Sequence, residues 1–242
     1  MRILGKRADY YVWRNIQLNK SRILIFAMLF ILALMLFIMG QVPSATLGVV
    51  LIPIAYFLGI YSYQKYITWK SGSRGEDAAV KELSKLSDFY RLINGAVIPP
   101  NRGDTDHIIL GPNGIFVIES KYYGGQIACK GDEWTRHKIG GKGKRYDLWI
   151  GSPSNQVKRN AKVLKDFLLK NKNKIFSKAP HLWVHAVLVF TNDRADIHIK
   201  NPTVDILRID ELSDFIRGQE SETVFTEEEV KHMGELILRY SS

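Results

Sequence analysis

The chain has 242 residues, with 34 Lys and Arg against 24 Asp and Glu for a formal charge of +10, and 46% of its residues are hydrophobic. That much apolar material supports a core and excludes an intrinsically disordered or acidic solvating chain. Cys129 is the single cysteine, which excludes an internal disulfide framework and a Cys-rich zinc site.

Ile23 to Met39 reads ILIFAMLFILALMLFIM, without a polar side chain, and Val42 to Ile60 is likewise uncharged. Each run approaches the ~20 residues a helix needs to cross a bilayer. Two such runs back to back, with no polar face, predict a transmembrane hairpin rather than a core helix. A cleaved signal peptide fits less well, because 22 residues with a basic character precede the first run. Arg2, Lys6, Arg7, Arg14, Lys20 and Arg22 lie before the first span and Lys65, Lys70, Arg74 and Lys81 after the second, while the connecting turn is uncharged. Positive flanks stay on the cytoplasmic side, so both termini are expected there, at the cell membrane. Tyr56, Tyr61, Tyr63, Tyr66 and Trp69 form an aromatic belt at the exit. Ser71, Gly72 and Ser73 read as a flexible joint. The expected organisation is a basic segment over 1–22, a hairpin over 23–62, a juxtamembrane linker over 63–73 and an α/β domain over 74–242.

In that domain the pattern predicts a helix from Gly75 to Leu86, with Ala79, Val80, Leu83 and Leu86 on its apolar face. A strand follows from Phe89 to Ile98, ended by Pro99 and Pro100. Asp106–Leu110 and Ile115–Lys121 are strands around a Gly-Pro-Asn-Gly turn. Gln126–Lys130 is a short strand, and 131–151, rich in Gly and Lys, is an extended loop or ribbon. Pro153–Leu169 is a helix with Pro in its first turn, then come strands at Trp183–Phe190 and Val204–Ile209. Helices at Asp210–Ile216 and Thr226–Tyr240 finish the chain, the last with a Thr226/Glu229 capping box.

The segment DTDHIILGPNGIFVIESK, from Asp104 to Lys121, carries the chemistry. Centring the turn between Pro112 and Asn113 pairs Leu110 with Ile115, and the same register sets Asp106 opposite Glu119 and Asp104 opposite Lys121. Opposed Cβ atoms lie ~5 Å apart, so two carboxylates there repel. A divalent cation relieves that repulsion, Mg²⁺ in particular taking a few carboxylates plus waters and phosphate oxygens. Lys121 then stands where it could orient water or stabilise a phosphate. The competing reading is an ordinary Asp104–Lys121 ion pair at a strand end.

GEDAAVKEL, DTDHIILGPNGIFVIESK, GGQI, Trp134 and SPSNQVKRNAKVL, in that order over residues 74–190, resemble the nuclease-related domain (NERD) family of the PD-(D/E)xK restriction-endonuclease-like superfamily. The resemblance implies an α/β restriction-endonuclease-like mixed sheet flanked by helices. It implies that Asp106 and Glu119 bind Mg²⁺ (or Mn²⁺), that Lys121 is the catalytic lysine, that Glu76 is an additional acid on the first helix, and that Gln156 is the glutamine after the family's Asn-Pro. Two positions depart: Ser152-Pro153 replaces Asn-Pro, and Ser120 stands where Thr is frequent. Read on its own, Glu76 is an acid at a helix N-terminus, and Gln156 and Asn160 share a helix face.

Residues 130–174 hold 13 basic and 4 acidic residues, a concentration suited to polyanions. Lys158, Arg159, Lys162 and Lys165 could contact phosphates. Trp134, Tyr146 and Trp149 could stack bases or cover the core. The expected partners are nucleic acid, DNA ahead of RNA, and the lipid bilayer, with no small-molecule cofactor. The alternatives to a membrane-tethered nuclease are an inactive nucleic-acid- or protein-binding module and a scaffold on anionic lipid.

Overall fold

The computed structural model describes residues 1–4, 9–100, 103–140, 143–177 and 180–241. The chain divides into two compact units, Ala8–Ser73 and a second formed by 74–242 together with the N-terminal residues.

The first unit is built from α1 (Asp9–Ile38) and most of α2 (Val42–Leu83). Both helices are long and apolar enough to cross a membrane. The chain reverses at Gly40, and the helices meet closely at Gly48, where a Cβ would stand 2.7 Å from the Ala33 carbonyl oxygen. Small residues bring helix backbones together in this way. Ala33 and Ala55 are buried, whereas Met28 and Phe57 are each 68% exposed. Apolar surface therefore covers the outside of the pair, the reverse of a soluble bundle. The helix continues through Ser71, Gly72 and Ser73, so the flexible joint expected there is helical. No proline follows Pro53 in α2, and Gly72 and Gly75 near this joint cost only about 1 kcal/mol each against Ala. Glu76 consequently sits inside a long helix, and the reading of it as an N-terminal acid is corrected.

In the second unit, β1 (Arg2–Leu4), β2 (Arg91–Ala96), β3 (Thr105–Gly111), β4 (Gly114–Lys121), β8 (Val184–Phe190) and β10 (Asp205–Arg208) form a mixed six-stranded sheet in the order β1-β2-β3-β4-β8-β10. β2, β3 and β4 are antiparallel neighbours, while β4, β8 and β10 run parallel. β5 (Gly125–Lys130), β6 (Glu133–Ile139), β7 (Arg145–Leu148) and β9 (Ala195–Lys200) make a second sheet in the order β7-β6-β5-β9. The ribbon expected over 131–151 is thus the antiparallel pair β6 and β7. β1 and β9 fall in segments where no strand was expected.

Alternation along the strands divides the core. Ile108, Leu110, Ile115 and Val117 face α3 (Pro153–Lys170) and α5 (Glu227–Tyr240), meeting Val157, Leu164, Met233 and Ile237. Ile109, Phe116, Ile118, Val187 and Val189 face the other way, toward Leu83 of α2 and Leu212 and Ile216 of α4 (Leu212–Gly218). Leu188 and Phe190 meet Ile127, Cys129 and Trp134 of the second sheet. Helices therefore flank a mixed sheet, as the sequence suggested. The Thr226/Glu229 capping box of α5 is present as expected.

Candidate active site

The β3–β4 register pairs Leu110 with Ile115, Gly111 with Gly114 and His107 with Ile118, the register read from the turn. The ladder stops at His107, and beyond it the Asp106 carboxylate does the pairing. Its Oδ2 accepts the Ser120 backbone N–H at 2.8 Å and the Ser120 hydroxyl at 3.2 Å. Ser120 therefore fixes the acid on the neighbouring strand, a role that no sequence signal indicated. A threonine would keep the same hydroxyl.

Glu119 points inward from β4 and is 2% exposed. Its Oε1 accepts from Lys121 Nζ at 2.6 Å, while Oε2 is buried without a hydrogen-bond partner. Burial raises the Glu119 carboxyl to about 8, Asp106 pushes the same way, and Lys121 only partly opposes them. Burial also raises Asp106 against the pull of Lys121 and Ser120. For Lys121, burial acts downward, but Glu119 and Asp106 outweigh it and the net shift is upward. Two carboxylates thus share one ammonium, and the site lacks positive charge.

Lys121 Nζ also donates to Gln156 Oε1 at 3.3 Å. Gln156 reaches it from the first turn of α3. There Ser152 is the N-cap, its hydroxyl accepting the Asn155 N–H at 3.3 Å. Ser and Asn are both strong N-caps, so the departure from Asn-Pro keeps the helix start. Asp104 is exposed, and Lys121 pairs with Glu119 rather than with it; the ion-pair alternative is not what forms.

Glu76 is brought to the same end of the sheet by Gly75. A Cβ on Gly75 would stand 3.0 Å from Thr191 Oγ1 and 3.3 Å from Tyr122 Cβ. Thr191 in turn donates its N–H to the Lys121 carbonyl at 3.1 Å. Glu76 is half-buried beside this junction. Among the described residues no three His, Cys, Asp or Glu converge on one point. Asp106 and Glu119 are the pair able to hold a cation. Their oxygens, one of them buried and unpaired, match a hard ion completed by waters and phosphate oxygens.

The basic residues of α3 are dispersed. Lys158 is bound to Asp132 at 2.6 Å, in a network where Thr203 and Ser154 also donate to that acid. Lys162 pairs with Asp166 at 2.6 Å, and Lys165 lies 5.5 Å over the Trp183 ring. At 100° per residue, these three positions project roughly opposite to Gln156. Arg159 is exposed on the flank nearer to it. Trp134 is a core residue donating to Ser154 Oγ at 3.0 Å, whereas Trp149 is 94% exposed. His107 is buried, its Nδ1 2.7 Å from Asn94 Oδ1.

Residues 71–191 match the nuclease-related domain family over half of the chain, and the chain belongs to that family. It is 24% identical over 150 residues to a Streptomyces coelicolor protein named "Probable kinase PglW", covering 60% of this chain and 9% of that one. It is 36% identical over 74 residues to an uncharacterised pXO1 protein of Bacillus anthracis, covering 28% of this chain and 34% of the other. The chain thus covers only a small part of each of these relatives. No solved structure matches.

Proposed function

We propose that this protein is a membrane-tethered, Mg²⁺-dependent nuclease that hydrolyses phosphodiester bonds of nucleic acid, DNA ahead of RNA. The observation that carries the reading is Glu119: a fully buried carboxylate with one oxygen unpaired, beside a second carboxylate and a lysine. Burying such a group without a partner is costly, and a divalent ion between Asp106 and Glu119 removes the cost. Mn²⁺ would serve the same donors. Bound there, the ion would polarise the phosphoryl oxygen and acidify a water.

The protein's own groups do the rest. Ser120 holds Asp106 in place, and Gln156 holds the Lys121 ammonium toward the carboxylates. Lys121 is placed to stabilise charge on the phosphate oxygens as water attacks phosphorus and the bond to the leaving oxygen breaks. Glu76 and Arg159 border the site and are assigned to substrate contact.

The tether reading draws on the outward apolar faces of α1 and α2 and on β1. Arg2, Ile3 and Leu4 pair with Arg91, Leu92 and Ile93, so the residues before α1 lie on the same side of any bilayer as the domain. Two crossings satisfy this and one does not. The basic flanks assign that side to the cytoplasm.

The test is cleavage by the full chain in detergent micelles, with single-stranded DNA, duplex DNA and RNA as substrates. Wild type is expected to cut at least one of them in Mg²⁺, and Lys121→Ala to cut none while still binding metal. Equal rates for wild type and Lys121→Ala would overturn the assignment.

A further inference from the structure

We infer that Arg136 and Lys138, on the inner face of the second sheet, form a subsite for a backbone phosphate of the nucleic-acid strand, next to the scissile position. The nuclease reading supplies the class of ligand; the placement of the two cations supplies the site.

Arg136 lies opposite Ile127 of β5, a core residue, so its side chain is on the face turned toward the main sheet. Its guanidinium stands over the Tyr123 ring at 4.6 Å, and its Nε donates to the Gly124 carbonyl at 2.9 Å. Tyr123 is two residues beyond Lys121 and within its electrostatic reach. Arg136 is therefore fixed at the edge of the candidate active site. Lys138 is the next residue on the same face and pairs with Tyr146 of β7, which is 46% exposed. Tyr123, Arg136, Lys138 and Tyr146 make a continuous row leading away from Lys121.

What sets this row apart is partial burial combined with a missing counter-charge. Lys158 and Lys162 on α3 each have a carboxylate. Among the described residues neither Arg136 nor Lys138 has one, and both are half-buried. Burial lowers both groups, and Arg136 lowers Lys138 further. Two crowded, partly desolvated cations without an acid are held at a cost, which an anion would relieve. The planar guanidinium of Arg presents a fork of N–H donors that matches the oxygens of a phosphate, and tyrosines at either end offer ring surface for the adjoining bases. The anion that also reaches Lys121 from this row is the phosphodiester chain itself.

The experiment is fluorescence anisotropy of a labelled single-stranded DNA 20-mer with the full chain in detergent micelles, in EDTA so that no cleavage intervenes. The dissociation constant is measured across a salt series. Each phosphate contact on a single strand contributes a log–log slope of ~0.7. Lys138→Gln, which keeps the stem, is expected to reduce the slope by about that amount, and Arg136→Ala with Lys138→Ala by about twice that. Lys138→Arg should keep the wild-type slope. Lys170→Gln, an exposed charge in the last turn of α3, should leave it unchanged. Equal loss from Lys170→Gln and Lys138→Gln would reduce the effect to net charge and overturn the subsite. So would an unchanged slope in the double variant, or no binding by wild type. A wild type that binds with these slopes but cuts nothing in Mg²⁺ would end the nuclease reading and leave the subsite standing. One that cuts while the slopes stay fixed would do the opposite.

Discussion

Ser120 tests how closely Asp106 must be held. Ser120→Ala removes the 3.2 Å hydroxyl bond but leaves the 2.8 Å backbone one. A hydrogen bond to a charged group is worth ~1.5–3 kcal/mol. Cleavage should therefore fall about tenfold at the low end of that range, while Ser120→Thr keeps activity. A rate for the alanine variant equal to wild type would show that the backbone bond suffices. Gly75 sets a second constraint. A methyl group there would stand 3.0 and 3.3 Å from Thr191 and Tyr122, which must shift by a few tenths of an ångström to admit it. Gly75→Ala should therefore cost ~1–3 kcal/mol of overpacking, offset by the ~1 kcal/mol that alanine gains inside a helix, read as a lower melting temperature. At this scale the sequence was informative for Asp106, Glu119 and Lys121, because strand alternation and a Gly-Pro-Asn-Gly turn fix which side chains oppose each other. Gln156 came only from the resemblance, and its bond to Lys121 was not foreseen, since it depends on how α3 packs. The roles of Ser120 and Arg136 come from folding partners that no local pattern reveals.

Among the elements, α3 depends on the network around Asp132. Lys158, Thr203 and Ser154 all donate to that carboxylate and hold it down at about 2. The Ser152 hydroxyl, which caps the helix, donates to the Asp132 carbonyl at 2.9 Å. An acid whose folded pKa is depressed contributes stability above its unfolded value of ~3.9 and loses it as pH falls toward the folded value. Wild type should therefore lose stability relative to Asp132→Asn between about pH 4 and pH 2, with the gap between their melting temperatures closing. A gap that is constant over that window would contradict the network. Lys158, which its position in a basic run suggested for phosphate contact, pairs with this acid in the fold. Charge density alone does not say which cations are free.

The strands that escaped the sequence reading are edges. Arg2–Leu4 is three residues long, and Ala195–Lys200 alternates weakly because five of its six residues are exposed or half-exposed, charges among them. Period-two patterns are faint where neither face is fully buried. β1 nevertheless covers the edge of β2, and Leu4 packs against the main core. Deleting residues 2–4 should lower the melting temperature and promote association through the bared strand. A fragment starting at residue 71 would carry the same defect, which is why the full chain is used in each test.

For the whole molecule, the long apolar runs were the most legible feature, and the helical course of residues 71–73 the least. Serine and glycine in short supply do not break a helix that is already propagating. The two-crossing arrangement predicts a labelling pattern in intact cells on a Cys129→Ala background. A cysteine at Ser44, in the turn region, should react with an impermeant thiol reagent, and cysteines at Ser21 or Ser73 should not. Reaction at Ser73 would contradict the proposed topology.

The nuclease reading stands or falls on metal-dependent turnover at Glu119. The most direct measurement is the initial rate of nucleic-acid cleavage by the full chain as Mg²⁺ is titrated, with Glu119→Gln in parallel. The substitution keeps the side chain's size and removes the charge needed to hold the ion. The account predicts a rate that rises and saturates with Mg²⁺ for wild type and stays at background for Glu119→Gln at every concentration. A wild-type rate at background throughout, or a Glu119→Gln rate that follows wild type, would contradict it.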